Sequence, residues 1–402
     1  MASRTTIGLA HCYLGHGGGE VATLWAIQAL KDEYDVTLIT AGDVDLAELN
    51  RFCGTCLRED DFRTRQAPVP AWLRRMRGAQ ALRSALHQRH CRRLAGEFDV
   101  LASGYDPCNF GRRAVQFIAD LGWDPQLRGT YFAEDEGRLG SLPGRLTRTA
   151  YHTLCRALTQ RSGWNTFRGD DILVANSAWM AAVIRTRWPS SRVEVLYPPV
   201  AFRSGPLPWE QKEVGFVCLG RIAPEKRVDA VIQILSQVRA RGHAVHLHVI
   251  GPMDGSPYST RIERLCRANA DWIQVEGMKA GLDKERILTA HRFAVHGWAG
   301  EPFGIAVAEM AKAGCLPFVP EVGGAAEIVG CPELCYHDAS DAVTKIEAVL
   351  KSDALQEELR EKVRRSACLF GSDVYTAGVR RIVGLLGAST SARRDREWAL
   401  AR

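Results

Sequence analysis

The sequence predicts an α/β protein of two doubly wound, parallel-sheet domains. Three observations carry this. At 402 residues the chain is too long for one ordinary core and suits two domains of about 200 residues each. Short apolar strands alternate with helical stretches twice over, which implies parallel sheets covered on both faces. Between the two series, four prolines fall among the residues from Pro198 to Pro208, in VLYPPVAFRSGPLPWEQKE. Proline resists both helix and inner strand, so this segment reads as a linker. The expected domains are 1–200 and 201–372, with a helix at 373–390 and a frayed tail at 391–402.

In the first half, TTIGLAHCY is a strand, HGGGE a loop, VATLWAIQALK a helix and DVTLIT a strand. DVLASGY, RGTYFA and DILVANS are further strand candidates, with helices expected around 112–121, 143–161 and 177–187. In the second half the strands are EVGFVCLG, AVHLHVIG, WIQVEG, RFAVHG and CLPFVP. The intervening helices are DAVIQILSQVRARG, YSTRIERLCRANA, KERILTAH and GIAVAEMAKAG. The stretch from 353 to 386 also reads as helical.

Composition narrows the class. Apolar residues make up 46% and charged residues 24%, an ordinary globular balance. The N-terminus lacks the pattern of a signal peptide, and no window reaches the roughly 18 apolar residues of a membrane span, so a cytoplasmic protein is expected. The twelve cysteines are scattered, and the pair Cys53 and Cys56 has no second pair at zinc-site spacing. The net charge of +6 is uneven: nine arginines and no acid lie between Asp61 and Glu97. The segment 71–95 reads as a basic amphipathic helix, suited to an anionic membrane surface or an anionic acceptor, or else a solvated helix face. Aromatic residues hardly interleave with these arginines, which disfavours nucleic acid.

Three segments carry chemistry. Gly17, Gly18 and Gly19 follow the first strand, where glycine permits close backbone approach and a helix N-terminus favours anions; a tight turn is the plainer reading. Arg221 and Lys226, in GRIAPEKR, leave the C-terminal end of a strand, where open α/β sheets place ligands. Two cations on one such loop can hold a diphosphate, though surface charge alone would look the same. In HGWAGEPFGIAVAEMAKAG, Glu301 and Glu309 stand eight residues apart, one in a loop and one about two turns into a helix starting near Phe303 or Gly304. Both can face one cleft at different depths. By spacing alone, a cap acid and a solvated acid would serve as well.

These segments resemble glycosyltransferase family 4, the retaining enzymes of the GT-B architecture. Glu301-Pro302-Phe303-Gly304-Ile305 followed by Glu309 is similar to that family's EX7E motif, and GRIAPEKR to its GRL..EKG loop. VANSAWM, VLYPPV and VGGAAEIVG resemble further family segments, in order, over roughly residues 7 to 385. The resemblance implies that Arg221 and Lys226 bind a donor diphosphate and that Glu301 touches the transferred sugar near its anomeric centre. It also implies that Phe303, Gly304 and Ile305 offer backbone N–H groups and that Glu309 holds the ribose. Gly18 and Gly19 would close from the opposite domain, and Glu276 to Lys279, including Gly277 and Met278, would lie by the nucleobase. The helix around 372–386 would cross back to the first domain.

One departure concerns a sugar-facing histidine common in the family. The comparable stretch here, GTYFAEDEGR, has none. Glu134, Asp135 and Glu136, with Asp106 and Asn109, are candidates for acceptor contact or are solvated loop acids. His296 precedes the glutamate motif, as in mannosyltransferase-like members, or is structural. The implied reaction is hexosyl transfer with retention from a nucleoside diphosphate sugar, GDP-mannose or a UDP-hexose, to a glycan, lipid-linked or natural-product acceptor. No cofactor and no metal at the donor loops are expected, since two cations replace the metal and no Asp-x-Asp motif appears. Alternatives are a nucleotide-sugar 2-epimerase and a non-catalytic nucleotide-sugar-binding homologue.

Overall fold

In the computed structural model, which describes residues 4–76, 79–131, 153, 155 and 167–400, the chain forms two parallel sheets. The first contains β1 (Thr6–Ala10), β2 (Asp35–Thr40), β3 (Arg63–Gln66), β4 (Val100–Ser103), β5 (Val115–Ile118), β6 (Ile172–Ala175) and β7 (Arg192–Val195), in the order β3-β2-β1-β4-β5-β6-β7. The second contains β8 (Glu213–Leu219), β9 (Leu247–Ile250), β10 (Ile273–Gly277), β11 (His291–Val295), β12 (Leu316–Pro320) and β13 (Cys335–Tyr336), in the order β10-β9-β8-β11-β12-β13. Both sheets reverse direction of winding next to their first strand, between β1 and β4 and between β8 and β11. Ligands of such sheets bind outside the carboxyl ends of the strands at that reversal. The segments after β1, β4, β8 and β11 are therefore brought together by topology alone.

The central strands are buried on both faces, as β4, β5 and β6 show along their whole length. The two largest apolar cores lie one in each domain, and smaller clusters pack elsewhere around the first sheet. The helix Ser372–Leu400 belongs to the large core of the first domain despite its place in the chain. Tyr375, Val379, Ile382 and Val383 are buried among residues of β1, β2 and the helix Gly18–Leu30. Tyr375 Oη donates to Ala22 O at 2.9 Å and Arg380 Nε to Ala29 O at 2.8 Å. The crossing helix is thus as the resemblance implied, and it continues to Leu400, through most of the segment read as a frayed tail.

Two local expectations are corrected here. Residues 112–121 hold strand β5 rather than a helix. Its Gln116 breaks the apolar run but is fully satisfied in the core: its carbonyl accepts from Ser103 Oγ and Cys108 N, and its amide donates to Cys108 O and Asp171. The stretch RGTYFA begins inside a helix, Pro125–Tyr131, because Asp124 accepts from the backbone N–H groups of Gln126 and Leu127 and caps it. The expected helix 143–161 lies almost wholly outside the described residues.

The basic segment 71–95 is two helices, Ala71–Arg75 and Gln80–Leu94, not one. The chain is extended at Met76, and the Arg83 guanidinium donates to the carbonyls of Leu73, Arg74 and Met76, which satisfies the end of the first helix. The second helix buries Ala85, His87, Gln88 and Cys91, a mixed stripe rather than an apolar one. Among the described residues no helix is long and apolar enough to cross a membrane.

Candidate functional site

The loop after β8 turns through a short 3-10 segment, Pro224–Lys226, and enters the helix Val228–Ala240. Lys226 points from this turn towards the segment after β11. A Cβ on Gly297 would lie 2.7 Å from Arg227 O and 2.8 Å from Lys226 O, so only glycine lets the two loops approach this closely. The Lys226 ammonium forms an ion pair with the Glu301 carboxylate and lies 4.4 Å over the Trp298 ring. His296 Nε2 is 3.2 Å from the same Glu301 oxygen.

Glu301 is 8% exposed. Burial by itself would push its carboxyl up; the Lys226 ammonium and then His296 reverse this and hold it at about 2. It is therefore an anion over the whole neutral range, with its charge already matched. Burial also lowers His296, against the pull of Glu301, so that group is not a free cation. The Glu301 backbone is fixed as firmly as its side chain, forming a parallel bridge with Gly323, and Gly324 N donates to Glu301 O at 2.8 Å.

Gly304 follows with φ 100°, a left-handed conformation that glycine adopts without strain. It is the N-cap of the helix Ile305–Lys312, whose first N–H groups have no intrahelical acceptor. The helix starts later than the sequence suggested, so Glu309 lies little more than one turn in. Lys284, at 2.6 Å, pairs with it. Phe303 is buried against Tyr197 and Phe370, so its side chain belongs to the core and only its backbone faces the loop. Gly277, φ 68°, ends β10, and Met278 beside it is 57% exposed. Arg221 is 70% exposed and bonded to Glu225 at 3.0 Å.

On the opposite domain Gly17 is the N-cap of the helix Gly18–Leu30. A Cβ on Gly18 would lie 2.6 Å from Ile305 Cδ1, so the glycine turn and the Gly304 helix meet face to face. A Cβ on Gly19 would lie 2.0 Å from the Tyr105 ring, which follows β4. Glu20 folds back and accepts from Gly15 N at 3.0 Å, so the first turn carries its own anion. Buried His11 is held by Thr23 Oγ1 at 2.8 Å. Asn109 accepts from Gly111 N at 3.0 Å and serves its own turn. Asp106 is half-buried beyond β4. Glu134, Asp135 and Glu136 lie outside the described residues.

The structure thus joins Lys226, His296 and Glu301 into one cluster, sets Gly18 against Ile305, and leaves Arg221 and Glu309 in separate ion pairs. Motif reading did not supply Lys284, Trp298 or Glu327. Glu327 crosses between the domains: its carboxylate accepts from Ala178 N at 2.9 Å and Trp179 N at 2.5 Å, at the N-terminus of the helix Ala178–Arg187, and from Tyr197 Oη at 2.9 Å. Ser177 Oγ donates to Pro302 O at 2.6 Å beside it. The NS dipeptide and the EIV turn are each visible in the sequence; that they bind each other is not.

Comparison with known proteins bears on the fold that carries these residues. Residues 203–366 match the family model of the glycosyl transferases group 1. A GDP-Man:Man(3)GlcNAc(2)-PP-Dol alpha-1,2-mannosyltransferase from Candida glabrata is 26% identical over 170 residues, 38% of this chain and 34% of that protein. The match thus spans about a third of the curated relative's length. Among solved structures, a sucrose-phosphate synthase from Thermosynechococcus elongatus superposes with a TM-score of 0.69 at 15% identity, covering 96% of this chain and 100% of that one. HepE from Anabaena, in complex with UDP and glucose, gives 0.66 at 14% identity over 95% and 100%. WaaG, a glycosyltransferase involved in lipopolysaccharide biosynthesis, gives 0.63 at 17% identity over 94% and 99%. The fold is the two-domain GT-B fold seen in these structures, and residues 203–366 within it are similar to the glycosyl transferases group 1.

Proposed function

We propose that the protein is a retaining glycosyltransferase that moves a hexosyl unit from a nucleoside diphosphate sugar to a hydroxyl acceptor. The observation that carries this is the cluster of Lys226, His296 and Glu301 at the sheet reversal, facing the glycine turn of the other domain. A carboxylate held at about 2 is a poor proton acceptor at neutral pH and no proton donor at all. Glu301 suits a hydrogen-bond acceptor for sugar hydroxyls, not an acid or base. Lys226 and Arg221 would stabilise charge on the leaving diphosphate as the sugar–oxygen bond breaks. The departing phosphate oxygen would take the acceptor proton on the same face, which gives retention. The N-terminus of the helix Ile305–Lys312 and the Gly18 turn would supply backbone N–H groups to the sugar and phosphate. Glu309, opposite Lys284, would hold the ribose.

GDP-mannose is the first donor to test, supported by the 170-residue match to the Candida mannosyltransferase. The acceptor would be met by the first domain, around Asp106 and Asn109. The test is a screen of GDP-, UDP-, ADP- and dTDP-sugars for binding and slow hydrolysis, without added metal. One donor should bind and lose its sugar to water, and Lys226→Ala should abolish both. Release of an epimerised sugar nucleotide without acceptor would overturn transfer in favour of epimerisation. Failure of every donor to bind would overturn the site.

A further inference from the structure

The second domain carries a group of side chains that the transfer reaction does not use. His246 and His248 stand two apart at the start of β9, so both project from the same face of the sheet. His291 opens β11, and Glu213, which pairs with it in register, opens β8 between them. The three imidazoles have ligand atoms within 4.8 Å of one another. They lie at the amino ends of β8, β9 and β11, whereas the loops of the proposed donor site leave the carboxyl ends.

We propose that His246, His248 and His291 bind a divalent transition-metal ion, with Zn2+ as the preferred ion, and that the ion staples the three strands together. The second neighbours of the rings support this. His291 Nδ1 is 2.7 Å from Ile287 O, and His248 Nδ1 is 2.8 Å from a Glu276 carboxylate oxygen. A carbonyl and a carboxylate only accept, so each Nδ1 carries a proton, which in the neutral ring leaves Nε2 with the lone pair that coordinates. This is the arrangement that orients metal-binding histidines, in which the far nitrogen is anchored and the near one is free to coordinate. His291 Nε2 then lies 3.1 Å from His246 Nε2. Two lone pairs do not face each other at that distance without positive charge between them, which a proton on His246 or a metal ion can supply. Two nitrogens on one tetrahedral Zn2+ sit about 3.3 Å apart. The three ligand atoms, spread over as much as 4.8 Å, have to draw together to complete three bonds of ordinary length. Glu213 Oε2, 3.4 Å from His246 Nε2 and mostly exposed, is placed to be the fourth ligand. A cluster of imidazole and carboxylate suits Zn2+ and excludes the hard cations Mg2+ and Ca2+. Binding at Nε2 leaves the single proton of the neutral His246 ring on Nδ1, since burial keeps this imidazole from charging, so no net proton is released.

The test uses the full chain, stripped of metal by a chelator and then titrated with Zn2+ against a chromophoric competitor. One ion per chain is expected to bind, with a rise in Tm of about 5–10 °C at 100 times the dissociation constant. The double variant His246→Asn, His248→Asn should lose binding and the Tm rise, and Glu276→Gln should weaken binding by about 10- to 100-fold through the anchored ring. Twelve cysteines could compete, so Co2+ is substituted: an intense visible spectrum without a thiolate charge-transfer band is expected. If the double variant fails to fold, carbethoxylation of the wild-type histidines, mapped by mass spectrometry, serves instead; Zn2+ should protect His246 and His248 and leave exposed His337 reactive. The proposal is overturned by the absence of stoichiometric Zn2+ binding, by unchanged binding in the folded double variant, by a thiolate band, or by equal reactivity of His248 with and without Zn2+.

Discussion

The two domains share a topology but differ at the ends of their strands. In the second domain the segments after β8 and β11 carry paired charges, Lys226 with Glu301 and, a helix away, Lys284 with Glu309. In the first domain the segments after β1 and β4 present glycine and an aromatic ring, Gly18, Gly19 and Tyr105, with buried His11 behind them. The same scaffold therefore offers a charged wall and a largely neutral one. A nucleoside diphosphate needs fixed cations, and Lys226, already held in place by Glu301, would supply one without reorganisation at the moment of reaction. An acceptor needs shape and access, which a neutral wall can vary without disturbing the charges opposite.

The largest effect should come from taking one charge out of the charged wall. Lys226→Ala leaves Glu301 buried without its partner, which is expected to cost about 3–5 kcal/mol of stability. Turnover should fall by roughly 100- to 1000-fold as well. Chemical denaturation and steady-state kinetics measure the two separately, and wild-type turnover in this variant would remove Lys226 from the site. On the neutral wall, Gly18→Val places methyl groups against Ile305, and loss of domain approach should reduce turnover by about 100-fold with Tm nearly unchanged. Equal activity would mean that the two faces need not meet. Glu309→Gln should raise the donor KM about tenfold with little change in kcat, because a charged hydrogen bond to a non-reacting group is lost. An effect on kcat alone would instead place Glu309 at the reacting atoms.

The pH dependence sharpens the same contrast. Burial raises the Glu301 carboxyl, but Lys226 and His296 more than offset this, leaving it at about 2 against an ordinary 4.5. Since the folded value is depressed, its stabilisation is complete above about pH 4.5 and is lost as pH falls towards 2. Thermal melts from pH 5 down to pH 2.5 should fall more steeply for the wild type than for Glu301→Gln; parallel curves would contradict the pairing. The smallest effect is expected between the walls. Glu327→Gln weakens the cap on the helix Ala178–Arg187 and should cost about 1 kcal/mol.

The second domain was the more legible of the two. Its strands read as apolar runs broken by glycine, and the spacing from Arg221 to Lys226 and from Glu301 to Glu309 is local, so the motifs mark the loops at the sheet reversal, although only Lys226 and Glu301 of these four join one cluster. In the first domain the strands are four residues long in places, and a buried glutamine in β5 made a strand look like an amphipathic segment. The basic segment misled for a related reason. Arg83 serves carbonyl groups at the end of the preceding helix and buried His87 faces the Ile39 carbonyl of β2, uses of polar side chains that helical periodicity does not reveal. What remained invisible was non-local: Lys284 opposite Glu309, Glu327 beneath the helix after β6, and His291 beside His246 are separated in sequence and joined only by the sheet order.

The helix that begins at Ser372 has a consequence for how the chain reaches its native state. It closes the core of the first domain with residues that lie some 350 positions away, as the bond from Tyr375 to Ala22 shows. During synthesis the first sheet must wait, with the apolar side of the helix Gly18–Leu30 uncovered, until the whole second sheet has left the ribosome. The second sheet, whose core is drawn almost entirely from residues 200–370, has no such delay. Folding order should therefore run against chain order, and a fragment ending near residue 212 should aggregate while one spanning about 200–371 stays in solution.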